Sequence, residues 1–150
     1  IEPAHNTSYV QMREPGFTDF LQREYPQVEI VSCIESFENP QITYKKTLQL
    51  LRDEPELRGI YITCGGVGQV GRALIETGRA NDVRVLCYEN YPEIVELMRQ
   101  GVIDWTLGGD KAQQGALPVK LIMDELVFGR KPATDRIFTD TRILVKECFA

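Results

Sequence analysis

The sequence predicts an α/β domain with a parallel sheet that carries helices on both faces. Segments rich in β-branched residues alternate with segments of helical periodicity along most of the chain. The 150 residues suit one domain, and the 43% hydrophobic and 26% charged fractions are typical of a globular protein. No apolar run has the length that a membrane span needs, so we expect no membrane partner.

The chain is expected to open with a helix followed by a strand. Asn6-Thr7-Ser8 is a helix-capping run, and the helix should reach about Tyr25 with a kink or break at Pro15-Gly16. Residues 28–33 are rich in β-branched side chains and predict the first strand.

The next helix is predicted from its amino-terminal cap. Asn39-Pro40 combines a capping side chain with proline at the first helical position, and Ile42, Leu48 and Leu51 should line one side. The later elements are expected to be strand 59–64, helix 67–77 closed by Gly78, strand 83–88, a helix from Pro92 to Gly101, extended residues 104–107, helix 111–128, and extended segments 136–139 and 142–146.

The predicted topology locates a ligand site before any family is considered. In an open parallel sheet the ligand lies beyond the carboxyl ends of the strands. Those ends here are residues 33–37, 64–68, 88–91 and 107–110. We therefore expect these four segments to form the site.

A glycine-rich turn matches a motif for dinucleotide binding. Gly66, Gly68 and Gly71 form GxGxxG between a predicted strand and helix, and Glu89 ends the next strand. In dinucleotide-binding domains such glycines admit a pyrophosphate and the acidic residue holds a ribose. The alternative is that the glycines only allow close helix–strand packing. The position of the motif favours this alternative, because about 60 residues precede a fingerprint that usually opens its domain.

Charge and cysteine usage narrow the function classes. The net charge of −5 indicates no nucleic-acid contact by these residues, and the single His5 leaves little for a metal site or a Ser-His-Asp triad. Cys33, Cys64, Cys87 and Cys148 show no CxxC spacing, which favours the reducing cytoplasm. The first three stand at strand ends and could converge near the cleft, but a role as small buried hydrophobes is favoured over a metal site. We expect no metal, no cofactor and no catalytic residue.

A series of short segments runs through the chain in a recognisable order. It comprises Arg13-Glu14-Pro15-Gly16-Phe17, Asn39-Pro40, Thr47-Leu48-Gln49-Leu50-Leu51, residues 55–61, Gly71-Arg72-Ala73-Leu74, Tyr88-Glu89, Ile103-Asp104, Gly115 and Val145-Lys146-Glu147. This series resembles the carboxyl-terminal part of LacI (lactose-repressor) family transcription regulators, whose effector-binding region has the type 1 periplasmic-binding-protein fold. The resemblance implies that residues 1–150 supply mostly the second lobe, with the first lobe and a DNA-binding helix-turn-helix upstream of this chain.

The resemblance also implies a function. A small-molecule effector, a sugar, would bind without catalysis and change the lobe arrangement of a homodimer, which alters its affinity for operator DNA. DNA would be read by the upstream domain in the cytoplasm. Two alternatives stay open, namely a Rossmann-type dinucleotide-binding domain of an oxidoreductase and a periplasmic sugar-transport receptor of the same fold.

Two charged residues are carried to the ligand site by the resemblance. Arg13 matches a ligand-contacting arginine, whose guanidinium can donate to neighbouring hydroxyls; the alternative is a surface ion pair with Glu14 or Asp19. Glu89 matches an acidic residue that accepts hydrogen bonds from sugar hydroxyls; the alternative is a helix-start carboxylate near Pro92.

Four further candidates complete the expected site. Phe37 lies close to a position that supplies an aromatic wall in the family, and a plain loop anchor is the alternative. Thr63 and Cys64 precede two glycines where many family members carry Asn-Asp, and Gly108-Gly109 replaces the polar residue before Asp110. Fewer side chains would then enter the cleft, so backbone N–H groups or water should do more of the binding.

The long helix predicted over residues 111–128 has an apolar stripe. It carries Leu117, Leu121, Ile122, Leu126 and Phe128. In the complete fold this stripe would pack on the first lobe. Without that lobe we expect the chain to associate as a dimer or a swapped arrangement.

Overall fold

A four-stranded sheet organises the chain, for which a computed structural model describes residues 12–37 and 39–149. The strands are β1 (Gly59–Tyr61), β2 (Arg84–Tyr88), β3 (Trp105–Gly109) and β4 (Thr141–Leu144), and they lie side by side in chain order. The first three pair in parallel, and β4 pairs antiparallel with β3 at the edge. The sheet is therefore mostly parallel, and the predicted fold class is confirmed.

Five helices accompany the sheet. They are α1 (Arg13–Glu24), α2 (Pro40–Asp53), α3 (Val67–Glu76), α4 (Pro92–Arg99) and α5 (Lys111–Phe128), and a 3-10 turn follows over Lys146–Phe149. Since α3 and α4 join consecutive parallel strands, right-handed crossovers place both on one face of the sheet. On the other face, the ring of Phe17 in α1 stacks on Tyr61 of β1, with 4.4 Å between the ring centroids. Helices thus contact both faces.

The core lies between the sheet and helices α2, α3 and α4. Its most buried apolar members include Ile62, Val70, Leu74, Val83, Val85, Cys87, Met98 and Ile103. In α2 the buried line is Thr43, Thr47 and Leu51, so the expected stripe of Ile42, Leu48 and Leu51 is only partly right. Thr43 and Thr47 are buried without leaving a hydroxyl unsatisfied, because each hydroxyl donates to the carbonyl four residues earlier.

Two caps predicted from the sequence, at Asn39-Pro40 and at Gly78, are confirmed. The side-chain oxygen of Asn39 accepts from the backbone N–H groups of Gln41 and Ile42, and Pro40 occupies the first helical position. Gly78 follows α3 with a φ of +69°, a left-handed conformation that glycine adopts without strain.

The expected break at Pro15-Gly16 is wrong, because α1 runs through it. Pro15 is the third residue of α1, where a backbone N–H has no helical acceptor, so its missing N–H costs nothing. The amide of Gly16 donates to the Met12 carbonyl at 3.2 Å. The expected start at Asn6-Thr7-Ser8 lies outside the described residues.

Two predicted extended segments form no strand within the described chain. Residues 28–33 run along the outside, with Val28, Ile30 and Val31 between 44% and 49% exposed. Residues 136–139 are likewise irregular, and the last strand is confined to Thr141–Leu144. A β-branched sequence becomes a strand only where a neighbour completes its hydrogen bonds, and periodicity does not reveal that neighbour.

Helix α5 leaves its apolar stripe uncovered. None of its residues is buried by the described part of the chain, and the exposed apolar side chains are Val119, Ile122, Met123, Leu126, Val127 and Phe128. Among the described residues, no helix is long and apolar enough to cross a bilayer. A contiguous exposed apolar patch of this kind is typical of an interface.

Sedimentation velocity tests whether this stripe drives association. We expect the wild-type chain to sediment as a dimer or larger species, and Ile122→Lys with Leu126→Lys to shift it to monomer because both side chains are exposed apolar groups. Gln113→Lys, also exposed on α5, should leave the association unchanged. A wild-type monomer at high concentration would contradict the prediction.

Candidate ligand-binding site

A cavity of about 310 Å³ lies at the carboxyl ends of β1 and β2. Its wall is formed by residues 64–69, in the β1–α3 turn and the first residues of α3, by Tyr88 at the end of β2 with Glu89 and Tyr91 beyond it, by Glu93 and Ile94 of α4, and by Arg13 of α1. This is the edge of the sheet at which the sequence places the site. The volume matches the lower end of small-molecule pockets.

Arg13 is held at one side of the cavity by two contacts. Its Nη1 donates to the carbonyl oxygen of Thr63 at 2.6 Å, and its guanidinium carbon lies 3.5 Å from the centroid of the Tyr88 ring. The Tyr88 hydroxyl lies 2.7 Å from that of Tyr61, whose ring stacks under Phe17. This aromatic layer fixes the guanidinium at the strand ends.

The Tyr61 hydroxyl is a neutral group. Burial, together with the hydrogen bond to Tyr88, raises the pKa of Tyr61 far above its ordinary value. Tyr61 therefore adds no negative charge to the layer beneath Arg13 near neutral pH.

Glu89 reaches the cavity through an unusual backbone conformation. Its φ of +77° lies in the left-handed region, which side chains with a Cβ rarely occupy. Two bonds fix this geometry, because the Glu89 N–H donates to the Leu107 carbonyl at 2.8 Å and the Thr106 hydroxyl donates to the Glu89 carbonyl. A strained residue held by its neighbours is typical of functional sites.

The Glu89 carboxylate meets a cation from the next element. Its Oε2 lies 3.3 Å from Nζ of Lys111, the first residue of α5. The same Nζ lies 3.9 Å from the centroid of the Tyr91 ring. Both charged side chains are a little under half exposed, so the pair remains open to solvent.

The glycine motif serves packing. Gly66 caps α3 with a φ of +93°, and a Cβ on Gly71 would come within 2.7 Å of the Leu97 side chain, so Gly71 allows α3 and α4 to approach. A Cβ on Gly68 would come within 1.9 Å of the Glu93 carboxylate. This carboxylate lies against the first turn of α3, where the phosphates of a dinucleotide would have to bind.

Three of the six expected site residues come together. Arg13, Cys64 and Glu89 all line the cavity. Thr63 is buried and contributes its carbonyl to Arg13. Asp110 caps α5 instead, since its carboxylate accepts from the Gln113 N–H at 2.9 Å.

Phe37 stands apart from the described lining of the cavity. It is 57% exposed and also has a left-handed φ, of +51°. The aromatic groups that do line the cavity are Tyr88 and Tyr91. Both fall in the strand-end segment 88–91, and this position is the feature of the sequence that could have identified them as site residues.

The cysteines do not converge. Cys87 is buried in the core, where burial raises the pKa of its thiol to about 11, whereas Cys64 lines the cavity. Cys33 is exposed, with its sulfur 3.9 Å from the Glu14 carboxylate. The strand predicted to end at Cys33 is absent from the described sheet, so nothing carries this thiol to the common edge. Among the described residues, no group of His, Cys, Asp and Glu could hold a metal ion.

Comparison with known families agrees with this architecture. Residues 1–131 match the family model of the periplasmic binding protein domain. The chain belongs to this family. No curated protein matches the sequence.

Solved structures show the same fold. GanP, a glucose-galactose binding protein from Geobacillus stearothermophilus, aligns with a TM-score of 0.77 and 23% identity over 91% of this chain and 48% of its own. An Agrobacterium vitis ABC-transporter solute-binding protein, bound with α-D-tagatopyranose, aligns with a TM-score of 0.79 and 16% identity over 92% and 46%. A putative LacI transcriptional regulator from Bacteroides fragilis aligns with a TM-score of 0.76 and 19% identity over 93% and 47%.

The chain spans about half the length of these structural neighbours. The family match and these structures confirm the expected periplasmic-binding-protein fold. Both transport proteins and a LacI regulator share it, so the fold leaves the type of protein open.

The left-handed backbone of Glu89 should lower the free energy of unfolding of any variant that keeps a Cβ at this position. Glu89→Ala and Glu89→Gly both remove the carboxylate, but only the alanine variant keeps a Cβ in the left-handed region. We expect the glycine variant to be more stable by about 1 kcal/mol. Urea unfolding of both variants measures the difference, and an alanine variant of equal or greater stability would refute the strain.

Proposed function

We propose that this cavity binds a sugar, and that the chain forms one lobe of the effector-binding region of a LacI-type transcription regulator. The carrying observation is that Arg13 and Glu89 line the same cavity at the carboxyl ends of the parallel strands. A guanidinium donates several N–H groups and a carboxylate only accepts, while each sugar hydroxyl does both. The pair therefore suits a neutral polyhydroxylated ligand, bound without catalysis.

The neighbouring structures support sugar as the ligand class. GanP is named a glucose-galactose binding protein, and the Agrobacterium vitis protein is bound with α-D-tagatopyranose. Tyr91 adds an aromatic ring that is 58% exposed at the cavity, against which the C–H face of a sugar packs well.

A second lobe would complete the site. The neighbours of the same fold are about twice as long as this chain. The exposed stripe of α5 is a suitable surface for such a lobe. We propose that a ligand between the lobes changes their arrangement in a homodimer and so changes operator binding through an upstream DNA-binding domain.

Cysteine chemistry favours the regulator over a transport receptor. All four cysteines are thiols rather than disulfides, which suits the reducing cytoplasm. The second candidate is a periplasmic sugar-transport receptor, favoured by GanP and by the Agrobacterium vitis solute-binding protein. The gene sequence upstream of Ile1 separates the two, because a helix-turn-helix supports the regulator and a secretion signal supports the receptor.

Calorimetric titration with D-glucose, D-galactose, D-tagatose, D-arabinose and their phosphates tests the proposal. We expect one of them to bind, and Arg13→Lys to weaken it about 10- to 100-fold because a lysine lacks the guanidinium fork. Arg52→Lys, on an exposed part of α2, is the matched control and should bind like wild type. Failure of the wild-type protein to bind any sugar or sugar phosphate would overturn the proposal.

A further inference from the structure

We infer that Lys111 is a ligand-binding residue of this site, and that together with Glu89 it selects a ligand with two neighbouring hydroxyl groups. The inference rests on the proposed sugar binding and adds a donor that lies outside the described cavity lining. Lys111 contacts two lining residues, since its Nζ lies 3.3 Å from Glu89 Oε2 and 3.9 Å from the Tyr91 ring centroid. It therefore stands on the rim of the cavity.

The position of Lys111 in α5 destabilises the helix. The positive end of the helix dipole lies at the amino terminus, so a cation at the first residue is unfavourable there. Asp110 already caps the helix through the Gln113 amide. Lys111 is therefore unfavourable for the helix, yet its side chain reaches back to the strand ends. This combination favours a role in binding over a role in helix stability.

The Glu89–Lys111 pair combines an acceptor with a donor at one spot. The carboxylate has two acceptor oxygens and the ammonium has three N–H donors, so the single contact between them leaves both with further capacity. A pyranose with adjacent hydroxyls matches this arrangement, because one hydroxyl donates to Glu89 while its neighbour accepts from Lys111. One face of the Tyr91 ring contacts the ammonium, and the ring's other face remains for the C–H groups of the sugar.

Four glycines stand in the turns around the site. Glycines occupy positions 65 and 66 in the turn after β1 and positions 108 and 109 at the end of β3. They bring no side-chain donor to the strand ends. Lys111 lies directly beyond the second glycine pair and can supply one.

A plain surface ion pair is the competing explanation. Exposed pairs of this kind contribute about 0–1 kcal/mol to stability and have no effect on ligand choice. The two explanations differ in what they predict for ligands that lack a single hydroxyl, because only a binding role links Lys111 to one position of the sugar.

The test is a titration of three variants with the tightest-binding sugar of the panel and with its monodeoxy derivatives. Lys111→Met keeps a long unbranched side chain but removes the donor, and Lys111→Arg restores a cation. Lys120→Met removes an ammonium that pairs with Asp124 farther along α5. We expect Lys111→Met to weaken the parent sugar about 10- to 100-fold, Lys111→Arg to recover part of the loss, and Lys120→Met to bind within about twofold of wild type.

The deoxy derivatives decide the role. One derivative should bind wild type more weakly than the parent sugar, yet bind Lys111→Met as well as the parent does, because the donor for that hydroxyl is gone. Two results would overturn the inference while sugar binding stands. In one, Lys111→Met binds the parent sugar within about twofold of wild type. In the other, Lys111→Met weakens the binding of the parent sugar and of every derivative by the same factor. A wild-type protein that binds no sugar overturns the proposed function and this inference together.

Discussion

Parallel pairing of three strands is the constraint on which the rest of the structure depends. The register sets Ile60 beside Val85 and Leu86 beside Trp105, so all three strands end at one edge of the sheet. Arg13, Glu89 and Lys111 come from separate parts of the chain and meet only at this edge. The same pairing fixes the backbone of Glu89, whose N–H bonds to β3.

The charged groups at this edge are each held by a partner inside the protein. Arg13 rests on the Tyr88 ring, Glu89 pairs with Lys111, and the Glu93 carboxylate lies against the first turn of α3. Such a site leaves little net charge for an ionic ligand. It offers fixed donors and acceptors, which suits a neutral ligand with many hydroxyls.

Helix caps are the local signals in the sequence that predicted the structure, whereas the break expected at Pro15-Gly16 is wrong. The Asn39 cap and the glycine after α3 follow from the chemistry of one turn, and the strand-end rule picks out Cys64 and Glu89, which both line the cavity. Features that depend on a distant partner were missed. Residues 28–33 have strand composition but no neighbouring strand in the described chain. Lys111 reaches Glu89 only because α5 begins just after β3, which pairs with β2.

Binding of a sugar at the strand ends is the central claim, and amide chemical-shift mapping tests it most directly. Two-dimensional spectra of the ¹⁵N-labelled protein, titrated with the same monosaccharides, should show shifts concentrated in residues 64–69, 88–93 and 110–111, which surround the cavity and its rim. Ile75 and Glu96, in the part of the groove between α3 and α4 that shares no residue with the cavity, should stay unchanged. Shifts confined to that groove, or none at the strand ends with any sugar, would contradict the account.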